Sequence, residues 1–241
     1  MMGDKKHIAV LTGAGISAES GLKTFRDSDG LWMGYDVYEV ASPQGWVKNP
    51  QLVLDFYNAR RKDVAAAFPN AAHTGLASLE KDFNVTIITQ NIDDLHERAG
   101  SSNVVHLHGE IFKMRSSLVS GHDLQIGFDS EVYEIRDDIH LGDLAPDGGQ
   151  LRPHIVWFEE PVPMIELAAE ISSVADIFVV IGTSLAVYPA AGLLRFAPAS
   201  IPKFIVDKSI PQTVSIANLS AIEAPATVGV QVLTERLLKL V

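Results

Sequence analysis

Residues 9–26 read "AVLTGAGISAESGLKTFR". A short apolar strand runs into Gly13 and Gly15 and then into a polar segment that ends at Phe25-Arg26. The glycines match the phosphate-binding pattern G-x-G-x-x-G/A at Gly13, Gly15 and Ala18. Glycine lets a backbone approach a pyrophosphate closely, and a helix N-terminus behind it offers N–H groups. A glycine turn between strand and helix that binds nothing remains the alternative. An ordinary dinucleotide-binding unit places a second strand, ending in Asp or Glu, about 20 residues further on. Here Gly21 follows quickly, 22–48 is loop-like, and the next convincing strand waits until Asn84. The glycine loop therefore points to nucleotide binding but away from a hydride-transfer dehydrogenase.

Outward from that loop, short β-branched runs alternate with helical patterns, which predicts a parallel sheet covered by helices. Strands are expected at 7–11, 84–89, 104–107, 154–158, 176–182 and 203–207, and helices at 49–68, 71–83, 164–175, 188–197 and the tail from 232. Two stretches break the alternation. Residues 27–48 are loop-like with aromatics, and 113–150 are rich in Gly and Asp, long enough for functional loops or a small inserted domain.

Composition narrows the class. Hydrophobic residues make up 47% of the 241 residues, enough for a sizeable core, and the formal charge is −11. That charge argues against nucleic acid as the main partner but suits a basic peptide. With no cysteine in the chain, disulfides, thiolate-ligated metals and a thiol nucleophile are excluded. The first strand starts at His7, leaving no room for a signal peptide, and the longest apolar run is broken at 182–184 and at Pro189. A soluble cytoplasmic protein is expected, with no membrane partner.

Three polar clusters follow strands. In "TQNIDDLHERAG" (89–100), Gln90, Asn91 and Asp93 should project from a strand's C-terminal end, where open α/β sheets hold ligands. Helix capping by Asn91 or Asp93 is the alternative, although capping needs only one such residue. In "VVHLHGE" (104–110), His106 and His108 share one side of a strand. They could form a metal pair, but no third ligand is obvious. His108 as a general base is the better reading, set against a purely structural histidine. In "VIGTSLAVYPAAGL" (180–193), Thr183 and Ser184 follow another strand-to-glycine turn.

Taken together, "GAGISAESG", "TFR", "TQNIDDLHERAG", "HLHGE", "LRPHIVWFEE" and "GTSLAVYPAAG" resemble, in order, the motifs of the sirtuins, NAD-dependent protein-lysine deacylases, in particular the bacterial class III branch. The resemblance implies an α/β fold: a Rossmann-like parallel sheet with helices on both faces, plus a smaller inserted domain. The NAD domain would comprise 1–30, 68–112 and 151–241, and the small domain 31–67 and 113–150. NAD would contact Gly13, Ala14, Gly15, Ser17, Phe25, Arg26, Trp32, Gln90, Asn91, Ile92, Asp93, Gly182, Thr183, Ser184, Asp207 and Ala226. His108 and Asn91 would be catalytic, with His108 taking a proton from a ribose hydroxyl. Nicotinamide and O-acyl-ADP-ribose would be released. The acyl-lysine of a protein or peptide would enter beside Val156, Trp157 and Phe158.

Tyr57 and Arg60 are three residues apart and share a helix face. In class III members such a pair meets the carboxylate of succinyl- or malonyl-lysine, for which a planar guanidinium is apt. Removal of acetyl groups is expected as well. The alternative is a solvated basic face, since Arg61 and Lys62 follow.

The sequence also departs from the family. Aligned on its motifs, the family's zinc cysteines fall near Ser116, Val119, Leu144 and Asp147, so no zinc is expected there. Apolar packing by Leu118, Leu124, Ile126, Phe128, Val132 and Ile135 is expected in its place, or else a partly mobile segment, and His122 and His140 with Asp residues are a weak candidate for another metal. Glu159 stands where the family has glycine, Lys23 where it has proline, and Asp207 where it has asparagine. Two further readings stand beside deacylation: an ADP-ribosyltransferase or NAD glycohydrolase on the same scaffold, and a non-catalytic sensor.

Overall fold

The computed structural model describes residues 5–23, 31–32, 34–118, 131–183, 185, 187–210 and 216–241. Its strands are β1 (His7–Thr12), β2 (Leu31–Trp32), β3 (Tyr35–Asp36), β4 (Asn84–Thr89), β5 (Val104–His106), β6 (Gly109–Ser116), β7 (Val132–Glu134), β8 (Leu151–Ile155), β9 (Ile177–Ile181), β10 (Lys203–Asp207) and β11 (Leu219–Glu223). The helices are α1 (Ala14–Ser17), α2 (Val37–Val40), α3 (Pro43–Lys48), α4 (Pro50–Ala66), α5 (Ala71–Ser78), α6 (Leu95–Arg98), α7 (Ile165–Ser173) and α8 (Ala226–Leu237).

Six parallel strands form the main sheet in the order β11-β10-β9-β1-β4-β5. From β1 the chain builds outward first through β4 and β5, then on the other side through β9, β10 and β11. The order thus reverses between β1 and β9, which makes a crevice at their C-terminal ends, the place where open α/β sheets bind ligands. Successive side chains of a strand face opposite ways. Ile8, Val10, Ile87, Val179 and Val206 accordingly pack on one face with Leu76 of α5 and Leu233 of α8. Ala9, Leu11, Ile88, Val180 and Ile205 pack on the other with Ala168 of α7 and with Leu193. Helices cover both faces, as expected for this class.

A third core joins the two parts of the protein. Val53, Phe56, Tyr57 and Val64 of α4 meet Ile111 and Phe112 of β6 and Ile155 and Trp157 around the end of β8. Helix α4 starts cleanly because Asn49 accepts from the Leu52 N–H and Pro50 occupies the first turn.

The structure corrects three expectations. The run 154–158 is strand only to Ile155, and β8 lies antiparallel to β6 in a separate sheet ordered β7-β6-β8. Strands β6 and β7 lack clean alternation, and β6 is bulged between Gly109 and Met114, which hid them in the sequence. The 188–197 stretch is a 3₁₀ turn at Ala190–Arg195, and the last helix starts at Ala226, well before 232.

The apolar packing expected in place of zinc does not form a core among the described residues. Leu118 and Val132 are exposed and Ile135 is half-buried, whereas Leu124, Ile126 and Phe128 lie outside the described residues. Polar bridges hold this region. Ser116 Oγ donates to Asp147 Oδ1 at 2.9 Å, linking two positions at which the family's metal ligands align. The same oxygen accepts from the Gly149 N–H, and Ser116 Oγ accepts from the Leu118 N–H. Gln150 ties the Gly142 N–H to the carbonyls of His140 and Asp143. Helix α4 adds a second clamp: Asn58 exchanges hydrogen bonds with both backbone groups of Ile139, and Arg61 donates to the Ile111 and Asp137 carbonyls.

Candidate active site

The loops after β1 and β9 meet at the crevice. The Gly13 N–H donates to the Ile181 carbonyl and the Gly15 N–H to that of Gly182. A Cβ on Gly13 would lie 2.7 Å from the Thr183 Cβ, and one on Gly15 would lie 2.7 Å from the Gly182 Cα. Gly182 itself adopts a φ of 64°, a conformation that glycine takes without cost. The glycines are therefore required for two strand-end loops to pack, and the Gly13 and Gly15 N–H groups already have partners. Those two N–H groups are therefore not available to a phosphate.

Around this junction runs a cavity of about 420 Å³. It is lined by Gly13, Ala14, Gly15, Ser17, Trp32, Gln90, Asn91, Ile92, Asp93, His108, Gly182, Thr183, Asp207 and Ala226, and by Tyr57, Arg60, Val156, Trp157 and Phe158. Every described residue expected at the site lines this one space. Phe25, Arg26 and Ser184 lie outside the described residues. The sequence reading missed Leu22, Val162, Glu160, Tyr188, Lys208 and Ser209 as lining residues, because their access to the cavity depends on how loops fold back.

Beneath the cavity lies a buried polar network. Ser17 Oγ donates to Asp93 Oδ2 at 3.0 Å and accepts from Asn91 Nδ2 at 3.1 Å, with His73 Nε2 at 3.5 Å. Asn91 Nδ2 also donates to the Gly13 carbonyl, so its amide orientation is set by the first glycine loop. Asp93 Oδ1 accepts from the Leu95 N–H. The capping and functional readings of Asp93 are thus both right, one for each oxygen. Burial raises the Asp93 carboxyl above its ordinary range, opposed by the Leu95 N–H, Ser17, Arg60 and His106.

His73 accepts from the Asn70 N–H through Nδ1 in a capping box, and its ring meets His96 edge-on at 4.9 Å. Burial lowers His73 to about 4, with Glu97 opposing, and takes His96 well below its usual value, so both rings are neutral at pH 7.

The two histidines of "HLHGE" have different roles. Nδ1 of His106 bonds the Asn91 carbonyl at 3.2 Å and its Nε2 bonds Glu97 at 2.7 Å. Burial would lower this ring, but the Glu97 hydrogen bond and charge outweigh it and raise His106. His108 lies just past β5, where Nδ1 donates to the Gln90 carbonyl at 2.9 Å. That bond assigns the ring proton to Nδ1 and leaves the Nε2 lone pair free. Burial lowers His108 despite the Gln90 carbonyl, so the ring is an unprotonated base at neutral pH. Both rings are engaged in ways that do not suit a metal pair. Among the described residues no group of three or more His, Cys, Asp or Glu is placed to hold a metal ion.

Another part of the cavity is lined by α4 and the loop after β8. Tyr57 is fully buried, and among the described residues its hydroxyl has no partner at ordinary hydrogen-bond geometry, with the Trp157 side chain its one weaker polar neighbour. Burial pushes this phenol up, keeping it protonated. Arg60 is 7% exposed and lies 5.8 Å from the Trp32 ring centre; among the described residues it donates only to the Lys23 carbonyl, and its Nε has no partner. Arg61 is buried too, which overturns the solvated-face alternative; only Lys62 is exposed, pairing with Asp138. Behind the wall, Arg152 stacks 3.2 Å from the Trp157 ring centre and forms a bidentate pair with Glu160, which also accepts from the Trp157 N–H.

The cavity suits NAD in its donor set. The amides of Gln90 and Asn91 and the carboxyls of Asp93 and, at the end of β10, Asp207 all line it. Among the described residues no helix is long and apolar enough to cross a membrane.

Comparison with known proteins agrees with this geometry. The Sir2 family profile matches residues 13–189. A Helicobacter pylori protein named NAD-dependent protein deacylase is 52% identical over 224 residues, covering 91% of this chain and 94% of that one. A Bacteroides thetaiotaomicron protein of the same name is 50% identical over 234 residues, covering 97% and 98%. Among solved structures, a Sir2 homologue in complex with NAD superposes with a TM-score of 0.83 at 35% identity, covering 98% and 91%. Another, described as Sir2 bound to acetylated peptide, gives 0.76 at 29% identity, covering 96% and 93%. A glycine junction at the sheet's switch point, a lone unprotonated histidine over the same cavity, and relatives matched along nearly their whole length lead to one conclusion: this chain belongs to the Sir2 family.

Proposed function

We propose that this Sir2-family chain, an NAD-dependent protein deacylase, is tuned to acyl-lysines that end in a carboxylate, of the succinyl and malonyl kind. The observation that carries the reading is the state of Arg60 and Tyr57. A buried cation is costly unless it is paired, and a buried hydroxyl is costly unless it is hydrogen-bonded. Here both line the cavity; among the described residues the guanidinium forms no salt bridge, feeling Asp93 and Asp63 only through their charge, and the hydroxyl has no partner at ordinary hydrogen-bond geometry beyond the weaker Trp157 contact. A ligand carboxylate supplies what both lack, through charge-assisted hydrogen bonds. Acetyl-lysine would fit the same space without meeting that demand.

NAD supplies a ribose carbon with nicotinamide as leaving group. This chain's residues orient the reactants and exclude water. Asn91, held by Ser17 and the Gly13 carbonyl, presents its amide to the cavity. His108 accepts a proton from a ribose hydroxyl at Nε2, while the Gln90 carbonyl keeps the ring in the correct tautomer. Val156, Trp157 and Phe158 flank the acyl-lysine side chain.

The test is mass spectrometry of one peptide carrying acetyl-, succinyl- or malonyl-lysine in turn, incubated with NAD. Faster loss of the acidic acyl groups supports the reading. Acetyl removal alone retires the acidic preference. Consumption of NAD without deacylation favours transfer of ADP-ribose to protein or to water.

A further inference from the structure

Glu159 adopts a φ of 71°, in the left-handed region, although it carries a side chain. That conformation costs a residue with a Cβ roughly 1–2 kcal/mol relative to glycine. Strain of this kind persists where function uses it and clusters at binding sites. Glu159 is exposed, so core packing gives no reason for a carboxylate here.

Its surroundings say what the carboxylate faces. Glu159 lines the cavity on the same loop as Val156, Trp157 and Phe158. Its neighbour Glu160 is neutralised by Arg152 and accepts from the Trp157 N–H, whereas among the described residues Glu159 has only the Gln44 amide, which donates to Oε2 at 2.7 Å. Gln44 orients the carboxylate without cancelling its charge. The same cavity is lined by Val187 and Tyr188, and Tyr188 is 67% exposed. An oriented carboxylate and an exposed aromatic ring lining one cavity suit a long cationic side chain, by ion pairing and by cation–π contact. Tyr57 and Arg60 are buried, so a carboxylic acyl group goes inward while Glu159 meets what remains outside.

We infer that Glu159 is a specificity-determining residue that selects acyl-lysines flanked by lysine or arginine. The inference rests on the deacylase reading and adds the sequence context of its substrate. The chain's formal charge of −11 works in the same direction at longer range.

The experiment compares kcat/KM for peptides with one acyl-lysine, flanked on either side by Arg, Gln or Glu, for the wild type, Glu159→Gln and Glu159→Gly. The wild type should favour Arg over Glu about three- to fivefold, the worth of one exposed ion pair, and 0.5 M salt should shrink the ratio. Both variants should bring the ratio close to one, and Glu159→Gly should also raise the melting temperature by relieving φ strain. A wild type that turns over all peptides equally overturns the inference and leaves deacylation standing. A preference that survives in Glu159→Gln also overturns it, assigning the selectivity to the overall charge. Turnover of none of the peptides sinks the deacylase reading and the inference with it.

Discussion

His108 Nδ1 donates to the Gln90 carbonyl at 2.9 Å, and this bond decides which nitrogen of the ring can act as a base. Gln90 follows β4 and His108 follows β5, so two adjacent parallel strands set the geometry. Replacing His108 with Ala should lower deacylation by about 10²- to 10⁴-fold, the usual contribution of a positioned base. NAD binding, measured by calorimetry, should survive; loss of binding together with turnover would show that the ring holds the cofactor instead. Because burial lowers the pKa of His108, the acid limb of kcat/KM should lie below pH 6.5.

Arg60→Met should reduce kcat/KM for succinyl-lysine by about 10- to 100-fold, the worth of a hydrogen bond to a charged group. Loss of acetyl-lysine turnover should be much smaller. The same variant should melt no lower than the wild type, since it removes an unpaired buried cation. Equal losses for the two acyl groups would remove Arg60 from acyl recognition.

Asp147→Ala should destabilise the protein by about 1–2 kcal/mol, because Ser116 Oγ and the Gly149 N–H lose their shared acceptor. Urea denaturation of this variant and of Ser116→Ala, each with and without a chelator, checks the assignment. Chelator should shift no midpoint. A midpoint that falls only with chelator would mean that a metal, not the Ser116–Asp147 bridge, holds the segment.

Stability should decline as the pH falls from about 6.5 toward 4. His73 titrates at about 4 when folded and near 6.5 when unfolded, so the unfolded state binds the extra proton throughout that window. His96 and His154 are lowered in the same direction, chiefly by burial. Asp93 and His106 are raised; Asp93 works against the decline, and the stability that His106 contributes is lost instead as the pH rises through its folded value. His73→Gln keeps a side chain able to complete the capping box but cannot titrate. Its melting temperature should fall less steeply over that window, and an unchanged slope would show that other groups govern the acid limb.

The main sheet was legible because its signals are local. The runs at 7–11, 84–89 and 203–207 are strands within one residue, since buried parallel strands read as continuous apolar runs. Strand ends followed by Gly, Asn, Asp and His exposed most of the site for the same reason: parallel strands deliver their C-terminal ends to one crevice. The bulged β6, the three-residue β7 and the short, largely exposed edge strand β11 carry no such pattern.

What the sequence determined by itself was the order of strands and turns, and with it the chemistry placed at the sheet's end. Tertiary structure decided which atoms remain free for that chemistry. Only packing shows that the Gly13 and Gly15 N–H groups are taken at the end of β9, that Arg60 is buried with no salt bridge among the described residues, and that Glu160 meets Arg152 while Glu159 meets the Gln44 amide. The physical reason is that strand propensity and turn chemistry act between neighbours in sequence. Burial and hydrogen-bond satisfaction are set by whichever distant segment arrives, such as Ile181 at Gly13 or Asp147 at Ser116.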